Sequence, residues 1–201
     1  LIVKHKLPVQ KVIVASSQAV AGEGLYKDAD GREFLPPMRM EEQLSRGQWD
    51  IMDSKGRFAQ YQLTPQSVAN PQNQYGLSKL CQEKIALNLG KRFCIPSVTL
   101  RYSIVQGARQ SFYNVYSGVC RIFSLSLYFN KPFTIYEDGK QIRDFVNIHD
   151  VIDANLLVLE TSQADYRAFN VGGGKAYTVL EFAEITRKVF GKSMDFSLPG
   201  L

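Results

Sequence analysis

Histidine is scarce in this 201-residue chain, which contains only His5 and His149. A histidine-based metal centre or catalytic triad needs such side chains grouped with other ligands, so the sequence predicts no metal site. The three cysteines, Cys81, Cys94 and Cys120, are too widely spaced for a zinc or redox pair. We expect them to be the reduced, buried thiols of a cytoplasmic protein.

Long apolar runs and basic clusters are also missing. No apolar run approaches the roughly 18 residues that a membrane-spanning helix needs, so we expect no membrane partner. The net charge of +5 comes from lysines and arginines that are scattered rather than grouped. This distribution argues against nucleic-acid binding, whereas a mildly positive balance suits anionic small molecules.

Two further absences concern the start of the chain and its glycines. The sequence begins at Leu1, without methionine, in a stretch typical of a helix already under way, so we expect part of a longer protein. The run Gly172-Gly173-Gly174 has neither the dinucleotide-binding nor the phosphate-loop spacing, and it predicts a turn.

Short apolar runs alternate with helical patterns along the chain. The strand patterns occupy residues 12–15, 95–102, 133–136, 141–148 and 168–171. The helical patterns are a helix at Tyr75 capped by Asn73 and closed by Gly90 and Lys91-Arg92, a helix at 117–130, one at 151–160 capped by Asp150, and one at 178–190 capped by Thr178. This alternation predicts the α/β class with a mostly parallel sheet.

Residues 23–70 form a long polar segment between the first strand and the Tyr75 helix. A connection of this length is unusual in a compact domain, so we interpret it as an insertion with a short helix near 39–44. It carries no cysteine or histidine, which excludes a typical zinc knuckle.

Two pairs of polar residues carry candidate chemistry. The first strand ends in Ser16 and Ser17, at the carboxyl edge where open α/β sheets bind ligands. Tyr75 and Lys79 lie four residues apart, on one helix face, and the positive charge favours an anionic phenol. The pair is a candidate general acid/base for an alcohol. Both patterns also occur in ordinary turns and on solvated helices, so other segments must decide.

Six segments occur in a characteristic order between about residues 10 and 190. They are Ala15-Ser16-Ser17 with Val20 and Gly22; Tyr75-Gly76-Leu77-Ser78-Lys79; Leu100-Arg101-Tyr102 with residues 107–110; residues 134–139; Arg143-Asp144-Phe145-Val146 with Asp150-Val151; and residues 169–172. Together they resemble the central and C-terminal parts of the extended short-chain dehydrogenase/reductases, within the NAD-dependent nucleotide-sugar epimerase/dehydratase family.

The resemblance implies a partial Rossmann-like parallel sheet with part of a small C-terminal substrate-binding lobe. Residues 1–110 would be the C-terminal half of the Rossmann-like domain, with the insertion at 23–70. Residues 111–201 would be mainly the substrate-binding lobe, with a strand near 168–171 returning to the sheet. It also implies a homodimer formed through the Tyr75 helix.

The resemblance assigns roles to eight residues. The catalytic residues would be Ser17, Tyr75 and Lys79; Ala15, Ser16, Tyr75 and Lys79 would bind NAD; Gln18, Tyr136 and Arg143 would bind the nucleotide-diphosphate sugar. An ion pair with Asp144 or Asp150 is the alternative for Arg143, and core packing is the alternative for Tyr136.

Family members oxidise a sugar carbon through NAD while the tyrosine takes the hydroxyl proton, and they differ in the steps that follow. Dehydratases and decarboxylases place acidic residues after the serine, where this chain has Gln18 and Ala19. The deoxyhexose-forming epimerase/reductases use an added cysteine and histidine, and no cysteine lies near Ser17 in the sequence. Elimination therefore favours a 4-epimerase acting through a transient 4-keto sugar. A dehydratase, a reductase and a non-catalytic dinucleotide-binding relative are the alternatives.

The chain departs from the family pattern at several places. Ile104 stands where an asparagine often contacts substrate phosphate, and Ala21 and Gln106 stand where tyrosines are common. The insertion resembles one in relatives that act on deoxyhexose nucleotides. The glycine-rich cofactor turn of the family is missing from these residues, so we expect the 201-residue fragment to be inactive by itself.

Overall fold

The structure, a computed structural model, describes residues 1–113, 118–192 and 196–198. The chain divides into two units, each built from segments that are far apart in sequence. Unit 1 comprises Leu1–Met38, Asp50–Ser103 and His149–Val171, and unit 2 comprises Arg39–Trp49, Ile104–Ile148 and Gly172–Leu201. Each unit therefore combines segments from both predicted domains, and the insertion is shared between them.

Eleven strands and five α-helices occur in the described ranges. The strands are β1 (Val12–Ser17), β2 (Leu25–Lys27), β3 (Glu33–Phe34), β4 (Gln60–Gln62), β5 (Ser97–Tyr102), β6 (Ile104–Gln106), β7 (Phe133–Thr134), β8 (Ile142–Asn147), β9 (Ala168–Val171), β10 (Ala176–Thr178) and β11 (Phe196–Ser197). The helices are α1 (Glu41–Ser45), α2 (Gln74–Phe93), α3 (Val119–Tyr128), α4 (Ile148–Glu160) and α5 (Val179–Phe190), with 3₁₀ helices at Gln18–Ala21 and Ser162–Ala164.

The main sheet of unit 1 has the strand order β1-β5-β9, and all its pairings are parallel. Leu100 of β5 lies opposite Ala15 of β1 on one side and Phe169 of β9 on the other. The predicted α/β class and the strands near residues 12–15, 95–102 and 168–171 are therefore confirmed.

The two faces of β5 have different chemistry because successive side chains of a strand point to opposite sides. Val98 and Leu100 form an apolar cluster with Val158 of α4. On the other face, Arg101 pairs with Glu83 of α2. Helices α2 and α4 thus cover opposite faces, although both crossovers step in the same direction along the sheet. One of the two crossovers must be left-handed, against the usual rule for parallel strands.

Helix α2 begins as predicted, because the Asn73 side chain caps it by accepting a hydrogen bond from the Gly76 N–H at 2.8 Å. Of the predicted closing residues, Lys91 and Arg92 do lie in the last turn of the helix, but Gly90 does not end it. The helix continues to Phe93 and ends at Cys94, whose backbone is left-handed with φ 54°. Gly90 lies inside the helix. It must be a glycine because a Cβ at this position would collide with the Ser97 side chain of β5.

The thiols are free, but the prediction that they are buried was wrong. Cys81 and Cys94 are exposed, and Cys120 is half-buried. The reason is local, because Cys81 lies on the outer side of α2 and Cys94 at its end.

The insertion contains a small antiparallel sheet, in the order β3-β2-β4, that the sequence reading missed. Its first turn is built by Asp28, whose carboxylate accepts hydrogen bonds from the N–H groups of Asp30 and Arg32. The predicted short helix is present as α1. Strands of two or three residues with mixed polarity leave little alternation to detect.

A charge cluster ties this insertion together. Arg57 donates to Asp53 at 2.8 Å and to Asp30 at 2.8 and 3.1 Å. Hydrogen bonds from the Arg57 backbone N–H, its guanidinium and the Lys55 backbone hold the pKa of Asp53 at about 2, against the opposing effect of burial. The Arg57 side chain, followed by Lys55, also lowers the pKa of Asp30.

Unit 2 contains a mixed sheet in the order β10-β8-β6 and a separate parallel pair, β11-β7. Strands β7 and β8 thus belong to different sheets. An apolar core joins α3, α5 and the β7 segment: Phe123, Leu127, Phe133, Ile135, Val179 and Ala183. The predicted helix start at Ser117 lies outside the described residues.

The predicted cap is present at α5 but not at α4. Thr178 caps α5 in a capping box with Glu181, as the sequence predicted for Thr178. The prediction that Asp150 caps α4 was wrong, because the helix already begins at Ile148 and Asp150 lies in its first turn. The glycine run, predicted as a turn, lies in the connection between β9 and β10 with a bend at Gly174, and the Gly173 N–H donates to the Asp144 carboxylate at 2.9 Å.

No helix within the described ranges is both long and apolar enough to cross a membrane. In the same ranges, no group of three or more His, Cys, Asp or Glu side chains is placed to hold a metal ion.

Candidate active site

Lys79 connects helix α2 to the end of strand β1. Its ammonium donates to the Ala15 carbonyl at 2.9 Å and to Gln82 Oε1 at 3.4 Å, and it lies 5.8 Å from the centre of the Tyr75 ring. An ammonium has three hydrogens to donate, so one remains for a ligand. The structure therefore brings together the predicted residues Ala15, Tyr75 and Lys79.

A glycine allows the first turn of α2 to approach the segment after Ser17. A Cβ on Gly76 would collide with the Ala19 carbonyl oxygen, which leaves no room for a larger residue. Helix α2 accordingly packs on the 3₁₀ helix Gln18–Ala21. This contact places Tyr75, the neighbour of Gly76, beside the segment that follows Ser17.

The hydroxyls of Tyr75 and Ser17 are both available to a ligand. The Tyr75 side chain is 56% exposed, and its hydroxyl has no hydrogen-bond partner among the described residues. Ser17 caps the 3₁₀ helix by accepting from the Ala19 N–H at 3.2 Å, a bond that leaves its own hydroxyl proton free to be donated. A phenol, a hydroxyl and an ammonium on adjoining elements can remove a proton from an alcohol and stabilise the negative charge that results.

Ser16 and Gln18 flank Ser17 and have different surroundings. Ser16 is buried, and its hydroxyl donates to Glu83 Oε1 at 2.5 Å, so its side chain is used inside the protein. Gln18 is exposed, and its side-chain oxygen accepts from the Ser103 hydroxyl at 3.2 Å. The predicted ligand roles of both residues stay predictions.

Arg143 and Tyr136 belong to unit 2. Arg143 is exposed on β8 and donates to the Ile142 carbonyl at 2.9 Å. No carboxylate among the described residues pairs with it, so the alternative ion pairs with Asp144 or Asp150 are absent there. The Tyr136 side chain is 72% exposed, which argues against core packing.

The Tyr136 loop is held by the Gln141 side chain and by the insertion. The Tyr136 carbonyl accepts from Gln141 Nε2 at 3.0 Å, and the next residue, Glu137, has a left-handed backbone with φ 56°. Arg39 of the insertion donates to the Glu137 carboxylate at 3.5 Å and to the Trp49 carbonyl at 2.9 Å. The long polar insertion thus supports the loop that carries Tyr136, one of the predicted substrate residues.

Comparison with known proteins decides the family. Residues 53–172, more than half of the chain, match the sequence model of the NAD dependent epimerase/dehydratase family. The chain belongs to this family. Tyr75, Lys79 and Arg143 all lie within the matched range.

Several relatives in the epimerase/dehydratase family are similar over most of this chain. The dTDP-L-rhamnose 4-epimerase of Burkholderia thailandensis is 34% identical over 94% of the chain and 52% of its own length. A UDP-N-acetylglucosamine 4-epimerase from Methanobrevibacter ruminantium M1, solved with UDP-N-acetylmuramic acid, is 25% identical with a TM-score of 0.72, covering 99% of this chain and 53% of that one. The UDP-glucuronic acid 4-epimerase of Bacillus cereus, solved with its UDP-sugar and NAD, is 25% identical with a TM-score of 0.67, covering 96% and 49%.

The chain spans about half the length of the relatives that it matches.

A buried ion pair that the sequence did not predict lies next to these residues. Glu83 and Arg101 are 2% and 5% exposed, and their charged groups are 2.8 Å apart. Two signals pointed to it. Glu83 follows Lys79 by one helical turn, and Arg101 interrupts an otherwise apolar and neutral strand in the middle of the sheet.

Proposed function

We propose that the full-length protein containing this chain is an NAD-dependent nucleotide-sugar 4-epimerase that acts through a transient 4-keto sugar. The arrangement of Tyr75, Lys79 and the Ser17 strand end is the observation that carries the proposal. The family membership and the three similar 4-epimerases support it.

The residues present fit the nicotinamide end of NAD. The Lys79 ammonium keeps one hydrogen for a ribose hydroxyl after donating to Ala15 and Gln82, and both Ala15 and Tyr75 lie at the carboxyl edge of a parallel sheet. When bound, NAD supplies reversible hydride acceptance at the sugar carbon. Ala15, Ser16, Tyr75 and Lys79 are the residues that we propose to line this end of the cofactor.

Each catalytic residue has a separate task in this proposal. Tyr75 takes the proton from the sugar 4-hydroxyl. It returns the proton after the keto sugar has rotated in the site. Lys79 stabilises the phenolate through its charge. Its hydrogen bond to the Ala15 carbonyl also holds helix α2 against β1. Ser17 donates its free hydroxyl proton to the sugar oxygen and so orients it.

Three residues are proposed to bind the nucleotide-diphosphate sugar. Arg143 suits a diphosphate because its planar guanidinium is permanently charged and has donors to spare. Tyr136 presents an exposed aromatic face for the nucleotide base. Gln18, next to Ser17, offers an amide group to the sugar.

Epimerisation fits this site better than dehydration. Elimination of water needs a further acid or base near the sugar. The positions after Ser17 hold Gln18 and Ala19, and neither side chain ionises. We also propose that the protein is cytoplasmic, that it dimerises through α2, and that the isolated 201-residue chain is inactive.

The test uses the full-length protein and its Tyr75→Phe variant, with dTDP- and UDP-sugars as substrates. The wild-type protein should copurify with NAD and interconvert C4 epimers, as followed by NMR or chromatography. Tyr75→Phe should keep the bound NAD and lose roughly 10²- to 10⁴-fold in kcat, the usual contribution of a general acid/base.

Tyr128→Phe is the matched control, because Tyr128 is an exposed tyrosine on α3. Its kcat should equal that of the wild type. A wild-type protein without bound NAD and without exchange at C4 would refute the proposed activity, and unchanged turnover in Tyr75→Phe would refute the role of Tyr75.

A further inference from the structure

Glu83, Arg101 and Ser16 form a buried network in which the carboxylate uses both of its oxygens. Oε1 of Glu83 accepts from the Ser16 hydroxyl at 2.5 Å and from Arg101 Nε at 2.8 Å. Oε2 accepts from Arg101 Nη2 at 2.8 Å. The network therefore joins helix α2, strand β5 and strand β1 through side chains that are nearly inaccessible to water.

Arg101 extends the network to the segment that leads into α2. Its Nη1 donates to the carbonyls of Gln66 and Val68, each at 2.9 Å. These carbonyls belong to residues 64–70, here called the return limb, at the end of the insertion. One guanidinium thus holds the helix and the chain that precedes it.

The return limb is attached to other strand ends as well. Asn170 of β9 donates its amide to the Thr64 carbonyl at 3.0 Å, and the Asn70 N–H donates to the Val20 carbonyl at 2.9 Å. Val20 lies in the 3₁₀ helix after β1. The limb is therefore bonded to β9, to β5 through Arg101, and to the segment that follows β1.

The network lies directly beside the proposed proton-transfer residues. Glu83 follows Lys79 by four residues and Tyr75 by eight, so the three lie along one side of α2. Ser16 is the neighbour of Ser17 in β1, so a fixed Ser16 also fixes the strand end that carries the Ser17 side chain. Any movement of α2 along or around its axis would break the bonds at Glu83.

We propose that Glu83 and Arg101, together with Ser16, are positioning residues that hold Tyr75 and Lys79 in register with Ser17. This inference rests on the proposed function. A buried ion pair is a poor means of gaining stability, since apolar residues of similar volume often serve as well. Its directional bonds, in contrast, fix orientation, and a displacement of about 1 Å at a reacting group can lower a rate by about 10²-fold.

The test compares the full-length wild type with the double variant Glu83→Leu/Arg101→Met, which replaces the pair without leaving a lone buried charge. We expect the double variant to fold, to keep its NAD and to show a KM for the nucleotide sugar within about twofold of wild type. We expect kcat to fall by about 10²-fold. The single-turnover rate at which the sugar reduces the bound cofactor, followed by absorbance, should fall by the same factor.

Tyr102→Phe is the matched control on the opposite face of β5, where it removes the hydrogen bond from the Tyr102 hydroxyl to Asn155. It should leave kcat unchanged. If the double variant does not fold, Ser16→Ala decides instead, because it removes one bond of the network and should lower kcat severalfold at constant KM.

Two results would overturn the inference: a folded double variant with wild-type kcat, or a rise in KM alone. If the double variant does not fold, wild-type kcat in Ser16→Ala overturns it as well. A wild type that reduces its bound cofactor but does not exchange C4 epimers refutes the 4-epimerase proposal alone, because the single-turnover rates of the variants still test positioning.

Discussion

Arg143 is the exposed cation most directly concerned with substrate in the proposed site. Its guanidinium donates to a backbone carbonyl, and no carboxylate in the described ranges competes for it. The sequence left an ion pair with Asp144 or Asp150 open, and the structure disfavours it. The Asp144 carboxylate instead accepts from the Gly173 N–H.

Arg143→Ala should therefore weaken substrate binding more than it slows chemistry. A hydrogen bond to a charged group is worth about 1.5–3 kcal/mol, so we expect KM for the nucleotide sugar to rise roughly 10- to 100-fold, with kcat within about threefold. Steady-state kinetics of the full-length protein measures both. Lys140→Ala removes an exposed charge that pairs with Asp138 and should change neither constant. Equal KM values for the two variants would exclude a substrate role for Arg143.

Residue spacing alone predicted the pairing of Tyr75 with Lys79, because four residues always make one helical turn. It could not predict the contact of Lys79 with Ala15 or that of Glu83 with Arg101. Each of these joins residues from separate elements, and any of several strands could have lain under α2.

At the scale of elements, helix α2 is defined by its close approach to the segment after β1. Gly76 is buried, and a Cβ there would meet the Ala19 carbonyl. Glycine is normally a poor helix residue, so its presence one position after Tyr75 is explained by the contact and not by helix propensity.

Gly76→Ala should consequently destabilise the protein even though alanine favours helices by about 1 kcal/mol. Overpacking costs typically 1–3 kcal/mol, and a clash with a backbone oxygen belongs to the upper part of that range. After the gain in helix propensity, we expect a net loss in the free energy of unfolding of about 1–2 kcal/mol, measured in urea. Ser78→Ala, on an exposed position of the same helix, is the control and should be neutral or slightly stabilising. A Gly76→Ala variant as stable as Ser78→Ala would contradict the close approach.

The insertion is the element whose stability should depend on acid. The pKa of Asp53 is about 2 in the folded protein and close to 3.8 as an ordinary value, so the folded state prefers the charged form. Its contribution to stability is complete above about pH 4 and is lost as the pH falls towards 2. The lowered pKa of Asp30 acts in the same direction.

Arg57→Met should make this acid dependence visible by difference. The variant should be less stable than wild type at pH 5 to 7, because Asp53 and Asp30 lose their shared partner. The difference in the free energy of unfolding should shrink as the pH falls from about 4 to 2, since protonation removes the same interaction from the wild type. Urea unfolding followed by circular dichroism measures it, and a difference independent of pH would refute the assignment.

At the scale of the whole molecule, α2 carries an apolar stripe that its own unit does not cover. Residues at intervals of four form it, and all are exposed: Leu77, Cys81, Ile85, Leu89 and Phe93. A helix whose outer side is apolar is typical of a buried interface. The stripe supports the proposed homodimer, in which two copies would cover each other's α2.

Ile85→Glu should then convert the full-length dimer into a monomer. A charge at the centre of an apolar interface cannot be solvated there, and Ile85 is the most exposed apolar member of the stripe at 59%. Light scattering after size-exclusion chromatography measures the mass. Leu157→Glu on α4 is the control, as Leu157 is also exposed but lies on another helix, and it should leave the mass unchanged. A wild-type monomer would refute the dimer directly.

The sequence by itself determined the α/β class, the strands of the parallel sheet, the caps at Asn73 and Thr178, and the spacing of Tyr75 and Lys79. These follow from local patterns, because hydrophobic period, capping side chains and helical spacing act over a few residues. Only the tertiary structure decided which elements meet. It placed α2 and α4 on opposite faces of β5, paired Glu83 with Arg101, left Cys81 exposed and folded the insertion into a small sheet. Those outcomes depend on packing between residues far apart in the chain, where a local pattern specifies that a face is buried but not what buries it.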